Sequence, residues 1–193
     1  MAAFERLLAD RGAALGVVGP GDRGRIWERH IADSLRAMDC LAEEVRTVAD
    51  LGSGGGLPGI PLAIVRPDLR FVLVEPRRRR AAFLELAVEQ LSLSNAVVVA
   101  STHAEVRERF DVCLARALAG AARTWELARS LLNPRGYVVY FAGRTWGAEE
   151  VASLAAGGVH VEICSAPTVA WQGPLVMMIR PETDRSSGEP HGA

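Results

Sequence analysis

Hydrophobic and polar positions follow two different periods along this chain, and the change falls near Val45. Before that point the spacing is helical. Phe4, Leu7, Leu8 and Leu15 recur near helical spacing, which predicts a helix over the first 16 residues. The stretch GVVGPGDRG follows, and its Gly and Pro density predicts a loop without regular structure. Trp27, Ile31, Leu35 and Met38 then fall within about 80° of arc. They predict a second helix from Arg25 to Glu44 with one apolar stripe.

After Val45 short apolar runs alternate with longer helical segments. RTVADLG, RFVLVE, NAVVVA, DVCLAR and GYVVYFAG read as buried strands. Near-continuous apolar strands separated by helices imply an α/β fold, a parallel sheet covered on both faces. VHVEIC and WQGPLVMMIR, after a last helix near Ala148–Ala156, can close that sheet as an antiparallel edge. The polar tail ETDRSSGEPHGA is expected to be disordered. The predicted organisation is a helical extension over 1–44, a ligand-binding domain over 45–181 and a tail over 182–193.

Composition narrows the class. At 193 residues, 49% hydrophobic and 23% charged, the chain is an ordinary globular domain. It has no apolar run of about 18 residues, so no membrane span is expected. Its first residues mix both charge signs without an apolar signal core, so a cytoplasmic location is expected. Cys40, Cys113 and Cys164 show neither CxxC nor Cys/His spacing. Buried free thiols are therefore expected, with no disulfide framework and no metal site. The net charge of −1 does not announce a nucleic-acid binder. All 22 basic residues are arginine, however, so any phosphate contact would be planar and bidentate.

The stretch ADLGSGGGLPGIP carries the chemistry. A strand runs into Asp50, then Gly52, Ser53, Gly54, Gly55 and Gly56, and a helix begins near Pro58. Glycines permit positive φ and let a ligand lie on the main chain, facing a helix N-terminus. Gly54, Gly56 and Gly59 satisfy GxGxxG, and Glu75 ends the next strand, 21 residues after Gly54. A carboxylate there can accept hydrogen bonds from ribose hydroxyls. An adenosine-containing cofactor follows, either a nicotinamide dinucleotide or S-adenosylmethionine. The chain has little room for the second domain that a nicotinamide enzyme usually adds.

Four motifs make the chain resemble the glucose-inhibited division protein B family, the bacterial small-subunit rRNA guanine-N7 methyltransferases. They are RHIADSL at Arg29–Leu35, ADLGSGGGLPGIPLAIVRP at Ala49–Pro67, STHAEV at Ser101–Val106 and LARALA at Leu114–Ala119. The resemblance implies a class I methyltransferase fold, a Rossmann-like seven-stranded sheet, mostly parallel with an antiparallel last strand, plus N-terminal helices. It implies S-adenosyl-L-methionine held by Asp50, Gly52, Ser53, Gly54, Gly56 and Leu57, with Glu75 on the ribose. Ala104 and Glu105 would hold the adenine, and Arg116 would join the cofactor and substrate sites. Arg29, His30 and Asp33 would stand with Arg116 at the catalytic mouth, His103 and Arg144 on the substrate side. The implied partner is 16S rRNA or the small ribosomal subunit, met by a monomer. Guanine N7 has a free lone pair, so in-line methyl transfer to it needs no general base.

Departures from the family pattern are expectations too. His103 replaces an arginine, Ala142 in YFAG replaces a lysine, and GPLVMMIR lacks an arginine near its start. The Asn-Leu-Thr stretch before the RHI helix is also missing. These losses leave open methylation of another RNA or a small molecule, or a non-catalytic cofactor-binding protein. Arg144 is the candidate replacement for the charge missing at Ala142. Arg29 and Asp33 can alternatively be a helix-surface pair. Arg77–Arg80 read as a solvated helix face, Trp125, Trp146 and Trp171 as packing, and His160 and His191 as incidental.

Overall fold

A computed structural model describes residues 1–167 and 172–181. Its centre is a seven-stranded sheet: β1 (Thr47–Leu51), β2 (Arg70–Val74), β3 (Ala96–Val99), β4 (Phe110–Arg116), β5 (Leu132–Phe141), β6 (His160–Ile163) and β7 (Leu175–Ile179). The spatial order is β3-β2-β1-β4-β5-β7-β6. Strands β1 to β5 pair in parallel, and β7 runs antiparallel between β5 and β6. Each of the seven expected runs carries a strand, though β4 begins one residue before its run and β5 four residues before its run, at Leu132. Successive side chains alternate between faces, so the central strands feed two cores. Val48, Phe71 and Leu114 belong to one core, while Ala49, Val72 and Cys113 belong to the other.

Helices α3 (Gly59–Val65) and α4 (Arg78–Gln90) cover the first face, and α5 (Ala121–Ala128) and α6 (Ala148–Ala156) the second. The chain leaves β1 for one side and β4 for the other. The strand order therefore reverses between β1 and β4, where a crevice opens at the carboxyl ends of the strands. Among the described residues no helix is long and apolar enough to cross a membrane.

The N-terminal segment departs from its predicted form. α1 spans Ala2–Arg11 and ends short of residue 16, because the chain folds back with Val17 N–H donating to Gly12 O at 3.0 Å. Phe4, Leu7 and Leu8 join Ile60, Phe83 and Leu84 in one core. The expected loop contains a 3-10 helix, Pro20–Arg25, so its Gly and Pro content did not forbid regular structure. The second helix is not one α-helix. It is a π-helix over Trp27–Ala32, a single α-turn α2 (Asp33–Leu35), and a 3-10 helix over Arg36–Cys40. The wider π turn shifts the angular phase of the stripe. Ile31 is buried, but Trp27 is 46% exposed.

The thiol expectation is corrected in part. Cys40 and Cys164 form a disulfide, with Cα atoms 5.7 Å apart across a sequence separation of 124. The 3-10 helix ends beneath the edge of the sheet, which brings together two cysteines that no spacing rule connects. Tyr137 fixes the same corner, donating to Cys40 O at 2.7 Å and accepting from Ala42 N–H at 3.2 Å. Cys113 remains a buried free thiol, its pKa pushed up by burial. The expected tail over 182–193, with His191, and also Trp171, lie outside the described residues.

Candidate active site

The glycine loop takes its shape from three positive-φ residues, Gly52 (71°), Gly54 (55°) and Gly56 (80°), a region that side chains disfavour. Gly52 and Ser53 N–H both donate to Val74 O, at 2.8 and 3.1 Å, which ties the loop to the end of β2. Close packing fixes the rest. A Cβ on Gly56 would lie 2.4 Å from Ile60 Cδ1, and one on Gly59 would lie 2.7 Å from Asp50 Oδ2. Beneath the loop Asp50 is fully buried. Its Oδ2 accepts from Gly59 N–H at 3.0 Å, and its Oδ1 has no partner. Burial pushes the Asp50 carboxyl up to about 7, against the opposing pull of the Gly59 N–H. Glu75, also buried, accepts from Gly54 N–H at 3.0 Å and from Arg77 N–H at 2.9 Å.

Two clefts open at this edge of the sheet. One, of about 430 Å³, lies over the loop residues Gly52, Ser53, Gly54, Gly55 and Leu57. Its other walls are Gly16, Val17, His30, Arg77, Arg80, Arg116 and Ala117. That volume lies within the range of small-molecule cofactor sites. The second, of about 330 Å³, is walled by Asp33 and Arg36, by Tyr140–Gly143 and by Gln172–Leu175. Both clefts are lined by Arg116 and Ala117. Ala117 has φ +53°, an uncommon conformation for a non-glycine residue, at the junction itself.

Arg116 organises that junction. Its Nη1 donates to His30 O at 3.2 Å and Ser34 Oγ at 3.4 Å, and lies 3.5 Å from Asp33 Oδ2. Its Nη2 donates to Arg29 O at 3.2 Å and to His30 Nδ1 at 2.8 Å. A guanidinium only donates, so Nδ1 must accept and the His30 ring is neutral with its proton on Nε2. Burial first, and Arg116 second, hold His30 below the ordinary histidine value despite Asp22 and Asp33 nearby. Asp33, itself buried, also takes Arg36 Nη1 at 2.8 Å. Arg36 continues to Pro167 O at 2.7 Å and Gly173 O at 3.1 Å, fastening the N-terminal segment to the start of β7. Arg29 turns outward to Asp22 at 2.5 Å.

Gly52, Ser53, Gly54, Leu57, His30, Asp33 and Arg116 line the two clefts, as do Gly16, Val17, Arg36, Tyr140 and Gln172, which motif reading missed. Arg36 carried a legible signal, since it stands three residues after Asp33 and can pair with it. The other four carried none. Asp50, Glu75 and Gly56 support the loop from below rather than line the cleft. His103, Ala104 and Glu105 sit on a 3-10 turn after β3 and line neither cleft. Glu105 is held by its own turn, accepting from Thr102 N–H at 2.9 Å and Thr102 Oγ1 at 2.8 Å. Arg144 is exposed and lines neither cleft, whereas Ala142 lines the second. Trp125 is buried core, Trp146 lies 6.1 Å from the Tyr140 ring, and His160 pairs with Glu162 at the surface. Among the described residues no group of three His, Cys, Asp or Glu could hold a metal.

Known proteins share this fold. The chain resembles solved structures of an S-adenosylmethionine-dependent methyltransferase from Aquifex aeolicus (TM-score 0.59, 18% identity, 85% of this chain and 95% of that one). It also resembles magnesium protoporphyrin IX methyltransferase from Synechocystis PCC 6803 with bound S-adenosylmethionine (TM-score 0.57, 15% identity, 77% of each). These likenesses identify the class I methyltransferase fold. Sequence relatives are closer. Ribosomal RNA small subunit methyltransferase G of Kineococcus radiotolerans is 38% identical over 176 residues, 90% of this chain and 68% of that protein. Its counterpart in Streptomyces coelicolor is 37% identical over 195 residues, 96% of this chain and 80% of that protein. The model of the rRNA small subunit methyltransferase G family matches residues 1–162, and the chain belongs to that family.

Proposed function

We propose that this chain transfers a methyl group from S-adenosylmethionine to N7 of a guanine in 16S rRNA. The observation that carries the reading is the meeting of two clefts at Arg116 and Ala117, one on a glycine loop and one on the open side. Bound S-adenosylmethionine supplies an electrophilic sulfonium methyl. Gly52, Ser53, Gly54 and Leu57 present main chain to it, while Asp50 and Gly56 fix the loop's shape. Each Glu75 oxygen accepts one backbone N–H and keeps lone pairs for ribose hydroxyls. Ala104 and Glu105 are assigned to the adenine end, on the turn after the strand beside β2.

Guanine N7 attacks with its own lone pair, so what the protein supplies is orientation, and orientation alone can supply a large share of a barrier. Four N–H groups of Arg116 are held by protein acceptors, which leaves Nε–H as the spare donor at the junction. Arg36 and Arg116 share the Asp33 carboxylate, so the base cleft keeps one net positive charge. That charge stands in for the lysine replaced by Ala142 and suits an electron-rich guanine edge. Small ribosomal subunits given labelled-methyl S-adenosylmethionine should yield 7-methylguanosine on digestion. Cofactor binding without methyl incorporation would overturn the reading.

A further inference from the structure

Four consecutive arginines, Arg77–Arg80, stand beside the loop cleft. Some exposed arginines have carboxylate partners: Arg25 with Glu28, Arg70 with Glu108 and Arg129 with Glu126. Others, such as Arg123, Arg135 and Arg144, have none among the described residues but stand singly in the sequence. Arg77, Arg78 and Arg79 are exposed and have no such partner among the described residues. Arg80 reaches Leu15 O at 3.4 Å and Gly16 O at 3.5 Å, carbonyls that leave its charge intact. No acid stands three or four residues after any of the four, so the helix provides no pairing of its own. They also crowd the N-terminus of α4, where the helix dipole disfavours cations.

A ridge that folding alone disfavours needs an anionic neighbour, and its position identifies one. Arg77 and Arg80 line the loop cleft, and all four arginines line an adjoining hollow of about 380 Å³ floored by Ala14 and Leu15. Arg11 and Arg79 extend the basic rim along α1, where Asp10 is the acid present. The ridge follows β2, while the base cleft lies at the ends of β4 and β5. Those ends lie two and three strand spacings from β2, about 10–14 Å. We propose that Arg77–Arg80 form a docking ridge for the phosphate backbone of the RNA, gripping it a short way from the guanine in the base cleft. Guanidinium forks match phosphate oxygens in pairs, and four side by side make a track rather than a single contact.

The proposal rests on the rRNA reading, and one experiment separates their failures. The double variant Arg78→Ala/Arg79→Ala alters only exposed side chains outside the loop cleft. Its affinity for S-adenosylhomocysteine, measured by calorimetry, should equal that of the unaltered chain. Its KM for small ribosomal subunits should rise at least about tenfold with kcat little changed. The salt dependence of RNA binding should lessen by about 1.4 in the slope of log K against log salt, for two phosphate contacts. Arg78→Lys/Arg79→Lys should restore most of that slope. Unchanged KM and slope in the alanine variant would overturn the ridge alone. An unaltered chain that neither binds nor methylates subunits would overturn the rRNA reading and the ridge with it.

Discussion

Arg116 holds four acceptors and one buried carboxylate at a single point, so its side chain cannot be exchanged for another cation. Lysine has three donors on one nitrogen and cannot reach Arg29 O, His30 O, His30 Nδ1 and Ser34 together. Arg116→Lys keeps the charge beside Asp33 but loses hydrogen bonds made by a charged group, and is expected to lower stability in urea by about 1.5–3 kcal/mol. Methyl transfer should be lost at temperatures where the variant is still folded. His30 adds a pH dependence whose sign follows from its lowered pKa. As pH falls through about 6.5 the unfolded ring takes a proton that the folded ring refuses. The stability contributed by neutral His30 is therefore complete above that value and lost as pH falls toward the folded pKa. In His30→Gln the amide oxygen can still accept from Arg116, and nothing titrates. Its melting temperature should fall less between pH 7 and 5, and equal slopes in the two proteins would remove His30 as the group responsible.

Among the elements, the strands were legible and the helical segment before them was not. A sheet covered on both faces writes its central strands as apolar runs, and β1, β2, β3, β6 and β7 fall inside the runs visible in the chain. β4 begins one residue before its run, and β5 begins four residues before its run, through Asn133, Pro134 and Arg135. The stretch from Pro20 to Cys40 depends instead on partners far away in sequence. Arg36 bonds carbonyls 131 and 137 residues away, and Cys40 joins Cys164, so no local period encodes the winding. The glycine loop was readable because its conformation is written in its own residues. The base cleft was not, because Arg36, Tyr140 and Gln172 come from three separated segments. The disulfide has a measurable consequence. Cross-linking residues 124 apart removes much denatured-state freedom, and such links typically contribute about 2–4 kcal/mol. Cys40→Ser/Cys164→Ser should unfold at correspondingly lower urea, matching the unaltered chain after reduction with dithiothreitol. If reduction exposes no additional thiols in the denatured protein, the link is absent and the difference should vanish.

At the scale of the whole molecule, the open question is whether the first residues are an extension or part of the body. Helical spacing followed by a change of period near Val45 suggests an appendage over 1–44 on a domain over 45–181. The packing argues otherwise. Phe4, Leu7, Leu8 and Val18 are 0%, 9%, 0% and 3% exposed, in one core with Ile60, Phe83 and Leu84. Burying four such side chains is worth about 6–12 kcal/mol, at about 1.5–3 each. The whole stability of a domain is about 5–15 kcal/mol. The same segment roofs the loop cleft, since a Cβ on Gly55 would lie 2.9 Å from Val17 Cγ2 and Arg80 holds Leu15 O and Gly16 O. A chain lacking residues 1–18 should therefore lose its cooperative urea transition and aggregate on expression, instead of yielding a smaller active domain. S-adenosylhomocysteine should give no calorimetric signal with it. A truncated protein that unfolds in one sharp transition and binds the ligand with unaltered affinity would restore the division near residue 44, and α1 would then be an accessory to a core that stands without it.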